Sequence, residues 1–168
     1  KSRRAQEDAW SRMKVLIFSL SYYPLVGGAE VAVKEITDRI SDIEFDMVTL
    51  RFDKSHLEFE RVGNVNVYRI GGGLGYLSKI FFVIQAAFFA RRGKYDFYWA
   101  IMTYMLFPAI LAGRAPYALT LQDGDPFEHV FNRWFIMPFR PLLAYGFKHA
   151  AKVQAISNFL AKWSKRSD

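Results

Sequence analysis

Cysteine is absent from all 168 residues. That excludes a disulfide framework and any thiolate metal site. Long hydrophobic runs are absent too. A membrane-spanning helix needs roughly 18 to 20 apolar residues, whereas the longest candidate, residues 80–90, has eleven, with Lys79 before it and Arg91 and Arg92 after it. The chain does not open on a secretory signal, so a soluble, cytoplasmic domain is expected. His56, His129 and His149 share no metal-ligand spacing, and no metal site is expected. Acid is scarce in one half only. Residues 76–168 hold twelve basic and five acidic groups, whereas residues 13–75 hold seven and nine. The net charge of +7 therefore sits in the second half. A basic half rich in aromatics points to an anionic partner such as phosphate, nucleic acid or an anionic bilayer.

What is present is globular: 52% apolar and 23% charged residues, with aromatics at 17%. Residues 1–12 are polar and aperiodic and are read as an appended or disordered tail, leaving 13–168 as one domain. Residues 14–20 (KVLIFSL) form an apolar run of the kind buried on both faces of a sheet. Residues 29–40 then place Val31, Val33, Ile36 and Ile40 along one side of a helix. Further strands are expected at 44–51, 65–70, 95–102, 116–121 and 153–155. Helices are expected at 77–92, 106–113, 127–149 (interrupted by Pro138 and Pro141) and 158–165. A flexible loop is expected at 71–75 (GGGLG). Strands alternating with helices imply crossover units, and so a Rossmann-like doubly wound parallel sheet in a three-layer α/β/α sandwich.

Two helical segments are unusual. In 77–92 the polar residues Ser78, Gln85 and Arg92 recur every seven positions and form one narrow stripe. The rest of that helix is Ile, Phe, Val or Ala, so it is either buried or presses an apolar face on something outside the domain. Residues 127–147 interleave seven aromatics with Arg133 and Arg140. That pattern fits an interfacial membrane element as well as a core helix with snorkelling arginines.

Chemistry-bearing residues gather where strands end. Tyr23-Pro24-Leu25-Val26-Gly27-Gly28-Ala29-Glu30 joins the first strand to the first helix. Two glycines let a ligand approach the backbone closely, and a helix N-terminus offers free amides and the positive end of a dipole. A phosphate or diphosphate suits that position, and a plain tight turn is the other reading. Neither G-x-G-x-x-G nor a Walker loop is present. Gln122-Asp123-Gly124-Asp125 follows another strand. There Gln122 is placed to hydrogen-bond a hydroxyl, and Asp123 or Asp125 either orients an acceptor hydroxyl as a base or caps the next helix. Ser157 at the last strand end is read first as a helix cap.

Taken together, Met13-Lys-Val-Leu-Ile-Phe18, Pro24 to Glu30, Ala118-Leu-Thr-Leu121 running into Gln122-Asp-Gly-Asp125, and Val153-Gln-Ala-Ile-Ser157 resemble the N-terminal domain of GT-B retaining glycosyltransferases of family four. The likeness runs over about residues 13–166. It implies a glycosyltransferase that moves a sugar from a nucleotide-sugar donor to a glycolipid or polysaccharide-precursor acceptor with retention. It also implies that Gly27, Gly28 and Glu30 lie toward the donor diphosphate, with Gln122 and Ser157 among the substrate contacts and Asp123 and Asp125 as the catalytic candidates. Members of that family often carry histidine where this chain has Gln122. A C-terminal donor-binding domain would be the missing partner, and this domain alone is expected to be inactive. No cofactor is expected here beyond the nucleotide sugar as co-substrate. Arg133, Trp134, Arg140 and Lys148 are the candidate contacts to an anionic membrane surface, on the inner face of the cell membrane. A different class remains open: a Rossmann-like binding module for a phosphorylated ligand or protein, without catalysis. Nucleic acid is not an expected partner, because no recognised binding motif occurs.

Overall fold

The computed structural model describes residues 12–72 and 77–166, and the side chains up to 163. The expected tail at 1–12 falls outside it except for Arg12, as does most of the GGGLG loop. Seven strands form one sheet: β1 (Met13–Phe18), β2 (Ile43–Leu50), β3 (Phe59–Val62), β4 (Val65–Ile70), β5 (Phe97–Ile101), β6 (Tyr117–Leu121) and β7 (Lys152–Ala155). Their spatial order is β3-β4-β2-β1-β5-β6-β7, and every pairing is parallel except β3 with β4. The helices are α1 (Gly28–Asp38), α2 (Leu77–Arg92), α3 (Leu106–Ala112), α4 (Phe127–Phe131), α5 (Arg140–His149) and α6 (Asn158–Arg166).

The chain direction explains the layers. From β1 it moves outward through β2 to β4, then crosses to β5 and continues through β6 to β7. Right-handed crossovers put connections running in opposite directions on opposite faces. Accordingly α1 packs its Ala29 and Val33 on Val15, Ile17, Met47 and Val67 of one face. Helices α2, α3, α5 and α6 cover the other, on Leu16, Phe18, Val48, Ala100 and Leu119. β1 sits centrally between β2 and β5, so Leu16, Ile17 and Phe18 are wholly buried. That is why its sequence lacks polar alternation.

β3 lies in the polar stretch between two expected strands. It closes a hairpin onto β4 through Gly63 (φ +59), where a left-handed turn favours glycine, and Asn64. With only alternate residues half-buried, its apolar signal is weak. The 127–149 segment is interrupted as expected, into α4, a 3-10 turn at Met137–Phe139, and α5, but α4 already ends at Phe131, ahead of Pro138, and Pro141 falls in the first turn of α5, where proline is tolerated. Several of its aromatics are core: Phe127 stacks on Phe131 at 4.2 Å between ring centres, and Trp163 of α6 meets both rings edge-on.

Helix α2 differs from its expected stripe. Ser78 is buried, together with Phe82, Ala86 and Ala90, on the side facing the sheet. The outward side carries Leu77, Ile80, Phe81, Ile84 and Phe88, so five large apolar residues face away from the core while Phe82 and the alanines meet it. Among the described residues nothing covers them. Of the two readings of this helix, an apolar face presented outside the domain is the one the structure shows.

Candidate functional site

In an open parallel sheet, ligands bind beyond the carboxyl ends of the strands, where the chain reverses its direction of travel. Here that point lies between β1 and β5. The loops after β1, β5 and β6 therefore meet at one edge, and they carry most of the candidate residues.

The β1–α1 loop is tied down from several sides. Thr49 donates its hydroxyl to the Leu20 carbonyl at 2.9 Å. Arg69, buried on β4, donates to the carbonyls of Leu57 and Tyr23 and pairs with Glu60. Glu30 is buried and commits both carboxylate oxygens inside the protein, accepting from the Ser21 hydroxyl at 2.6 Å and from the Gly27 amide at 2.9 Å. It therefore shapes the turn from within and supplies half of a capping box. The two glycines are not equivalent. A Cβ on Gly27 would stand 2.8 Å from Glu30 Oε2, whereas one on Gly28 would meet nothing within 4 Å. The domain's own packing thus requires no glycine at 28, and the space beside it opens at the N-terminus of α1.

Asp123, after β6, accepts from the Thr103 amide at 3.2 Å and from the Thr103 hydroxyl at 2.9 Å. Thr103 follows β5 and is fully buried. Burial pushes the Asp123 carboxyl above the usual carboxylate range, against the lowering effect of the two Thr103 donors. The capping alternative for Asp123 does not hold at the helix that follows, since α4 begins at Phe127 and its N-cap residue is Pro126, with no side-chain cap. Asp123 instead closes the 3-10 turn Thr103–Met105 from the neighbouring strand end. Just before it, Met102 has φ +70 and ψ 157. For a residue with a Cβ this is strained backbone, of the kind that gathers at functional loops.

Gln122 has a buried side-chain oxygen without a hydrogen-bond partner. An orphaned buried acceptor is rare and calls for an explanation, such as a donor supplied by a ligand. Asp125 pairs with Arg133 at 2.9 Å on the surface, apart from the Asp123–Thr103 contact. Ser157 accepts from the Leu160 amide at 3.2 Å, so it caps α6. Trp134, Arg140 and Lys148 are exposed, Trp134 at 82%. Among the described residues no cluster of His, Asp or Glu could hold a metal ion.

The structure thus brings Gly27, Gly28, Gln122 and Asp123 to one edge of the sheet and leaves Asp125 and Ser157 in structural contacts. Sequence reading missed Thr103, Met102 and Arg69. No local motif marks Thr103, since its partner is twenty residues away. Two concavities lie further along the same sheet. One of about 500 Å³ is bounded by Arg51, Arg69, Gln85, Phe88 and Arg92, and one of about 650 Å³ by Arg51, Asp53, Lys54 and Gly71. Neither of these two is lined by Gly28 or Asp123.

This is an α/β fold of the kind found in GT-B glycosyltransferase domains. It superposes on sucrose-phosphate synthase from Thermosynechococcus elongatus with a TM-score of 0.62 at 11% identity, over 84% of this chain and 42% of that one. The structure of alpha,alpha-trehalose 6-phosphate synthase from Burkholderia multivorans aligns over 84% of this chain and 39% of its own, with 12% identity and a TM-score of 0.48. The chain therefore spans less than half the length of these structures. No family model and no curated protein matches its sequence.

Proposed function

We propose that this chain is the acceptor-side domain of a retaining glycosyltransferase that moves a sugar from a nucleotide-sugar donor to a glycolipid or polysaccharide-precursor acceptor. The observation that carries the reading is that Gly28 and the Asp123–Thr103 pair both follow the carboxyl ends of the neighbouring parallel strands β1, β5 and β6, at the switch point of a sheet shared with sucrose-phosphate synthase, whose name describes a sugar phosphate as its product.

Each residue has a distinct part in that scheme. The open side of Gly28 lets a donor phosphate approach the first-turn amides of α1, with the dipole of the helix favouring negative charge. Ser21, Glu30 and Arg69 hold the loop in place without touching substrate. The unpaired oxygen of Gln122 accepts a hydrogen bond from an acceptor hydroxyl. Asp123, oriented by Thr103 at the strand end, is the carboxylate placed to accept a proton from the attacking hydroxyl. Asp125 is not retained as a catalytic candidate, because its carboxylate is used by Arg133. The nucleotide would be bound by a second domain encoded beyond Asp168.

The test has two stages. Reading the gene past the Asp168 codon is expected to reveal a second α/β domain of roughly 150 to 200 residues. The complete protein is then assayed for nucleoside diphosphate release from UDP-, GDP- and ADP-hexoses in the presence of an envelope lipid and polysaccharide extract. Acceptor-dependent release that falls at least tenfold in a folded Asp123→Asn variant supports the reading. Phosphoryl-ligand binding without release from any donor would replace it with a binding module.

A further inference from the structure

We propose that the outer surface of the α2–α3–α5 layer is a docking face for an anionic lipid bilayer. Five large apolar side chains of α2 (Leu77, Ile80, Phe81, Ile84 and Phe88) are each between 45% and 55% exposed, on the side opposite its buried Ser78, Phe82, Ala86 and Ala90 stripe. A helix that buries Phe82 and its alanines but leaves five other large apolar side chains about half exposed is not arranged for water. The surface does not stop at α2. Helix α3 packs against α2 and adds exposed Leu111. Phe107 of α3 meets Phe139 edge-on at 6.0 Å, and exposed Met137, Phe139 and Trp134 extend the apolar area to the start of α5.

Charge identifies the occupant. Helices α2, α3, α5 and α6 contain no Asp or Glu at all, while Lys79, Arg91, Arg92, Arg140 and Lys148 lie on α2 and α5. Helix α1, on the opposite face, carries Glu30, Glu35 and Asp38. Apolar side chains bordered by cations, with no carboxylate on α2, α3 or α5 and Glu58 only at the concavity beside them, match an interfacial surface that sinks into the headgroup boundary of an anionic leaflet. A second copy of the chain fits less well, because a two-fold contact would set this acid-free face against itself. The sequence pattern placed the membrane element within 127–147. In the structure Phe131 and Phe147 of that segment are core, and α2 supplies most of the exposed apolar surface instead. The face is continuous with the 500 Å³ concavity, since Phe88 and Arg92 belong to both.

The inference goes beyond the proposed sugar transfer and is tested apart from it, by co-sedimentation of the full chain with vesicles. With 30% phosphatidylglycerol in phosphatidylcholine at 50 mM salt, the chain is expected in the pellet, with release at 0.5 M salt and little binding to pure phosphatidylcholine. Ile80→Gln together with Ile84→Gln, at exposed positions, should leave the urea midpoint unchanged and weaken partitioning roughly tenfold or more. Arg92→Gln with Arg140→Gln and Lys148→Gln should weaken it about a hundredfold at low salt. Three results would overturn the proposal: no pelleting at 50 mM salt, equal binding to neutral vesicles, or unchanged binding by the isoleucine variant. Concentration-dependent dimers that Ile84→Gln dissociates, without vesicle binding, would assign the face to a protein interface instead.

Discussion

Removing the hydroxyl of Thr103 is the sharpest test of the strand-end site. Thr103→Val keeps the volume and branching of a fully buried side chain, so no cavity opens. What it removes is the 2.9 Å donation to Asp123, leaving the carboxylate with the longer amide contact at 3.2 Å. Hydrogen bonds to charged groups contribute roughly 1.5 to 3 kcal/mol, so a loss of about 2 kcal/mol is expected near neutral pH. For a domain of this size that is a fall of roughly 4 to 8 °C in Tm. The pH dependence gives a second handle. The carboxyl's raised pKa means that the folded state holds this proton more tightly than the unfolded state, so protonation favours folding. Its contribution to stability is fully present below the ordinary value of 3.8 and is lost as pH rises through the raised folded value. Thr103 limits that loss by stabilising the charged form. Thr103→Val should therefore be most damaging at pH 7.5 and markedly less so at pH 4, and Thr103→Ser should recover most of the difference. Urea unfolding at both pH values, with fluorescence detection of tryptophan, measures this directly. A loss below about 0.5 kcal/mol, or one equal at the two pH values, would refute the view of Asp123 as a half-buried carboxylate held by Thr103.

Three further outcomes concern the two glycines and a buried phenol. Gly27→Ala places a methyl against Glu30 Oε2 and should lower stability by about 1 to 2 kcal/mol in urea unfolding, through loss of the cap. Gly28→Ala meets no neighbour and should be neutral or gain up to about 1 kcal/mol, yet slow donor turnover in the complete enzyme. Unchanged turnover would remove Gly28 from the donor contacts. Tyr22→Phe deletes a buried hydroxyl that has no hydrogen-bond partner, and should raise stability by about 1 kcal/mol in thermal unfolding. A loss instead would reveal a partner for that hydroxyl. Burial also pushes this phenol's ionisation upward, so the gain should be constant below pH 9.

Much of the fold is legible along the chain because the signals are local. The unbroken apolar run of β1 and the alternation of strands with helices follow from which faces must be buried, and together they dictate a parallel, doubly wound sheet. The apolar spacing in α1 marked a helix but not its buried side, because Val33 is buried with Ala29 and Thr37 whereas Val31 and Ile36 are exposed. The Gly27-Gly28 turn and the 122–125 segment were readable for the same reason: each follows a strand, and strand ends converge. Tertiary structure decided what depends on distant partners. The alternation in β3 is short and half-exposed, so only its pairing with β4 makes it a strand. Asp123 became a half-buried, Thr103-bound carboxylate because β5 and β6 are neighbours, and Asp125, two residues on, went to Arg133 on the surface. The same holds for α2. Its composition shows that most of its circumference is apolar, but which apolar residues meet the sheet and which meet something else is set by its rotation. The sheet side took Phe82 and the alanines and left five other large apolar side chains outside.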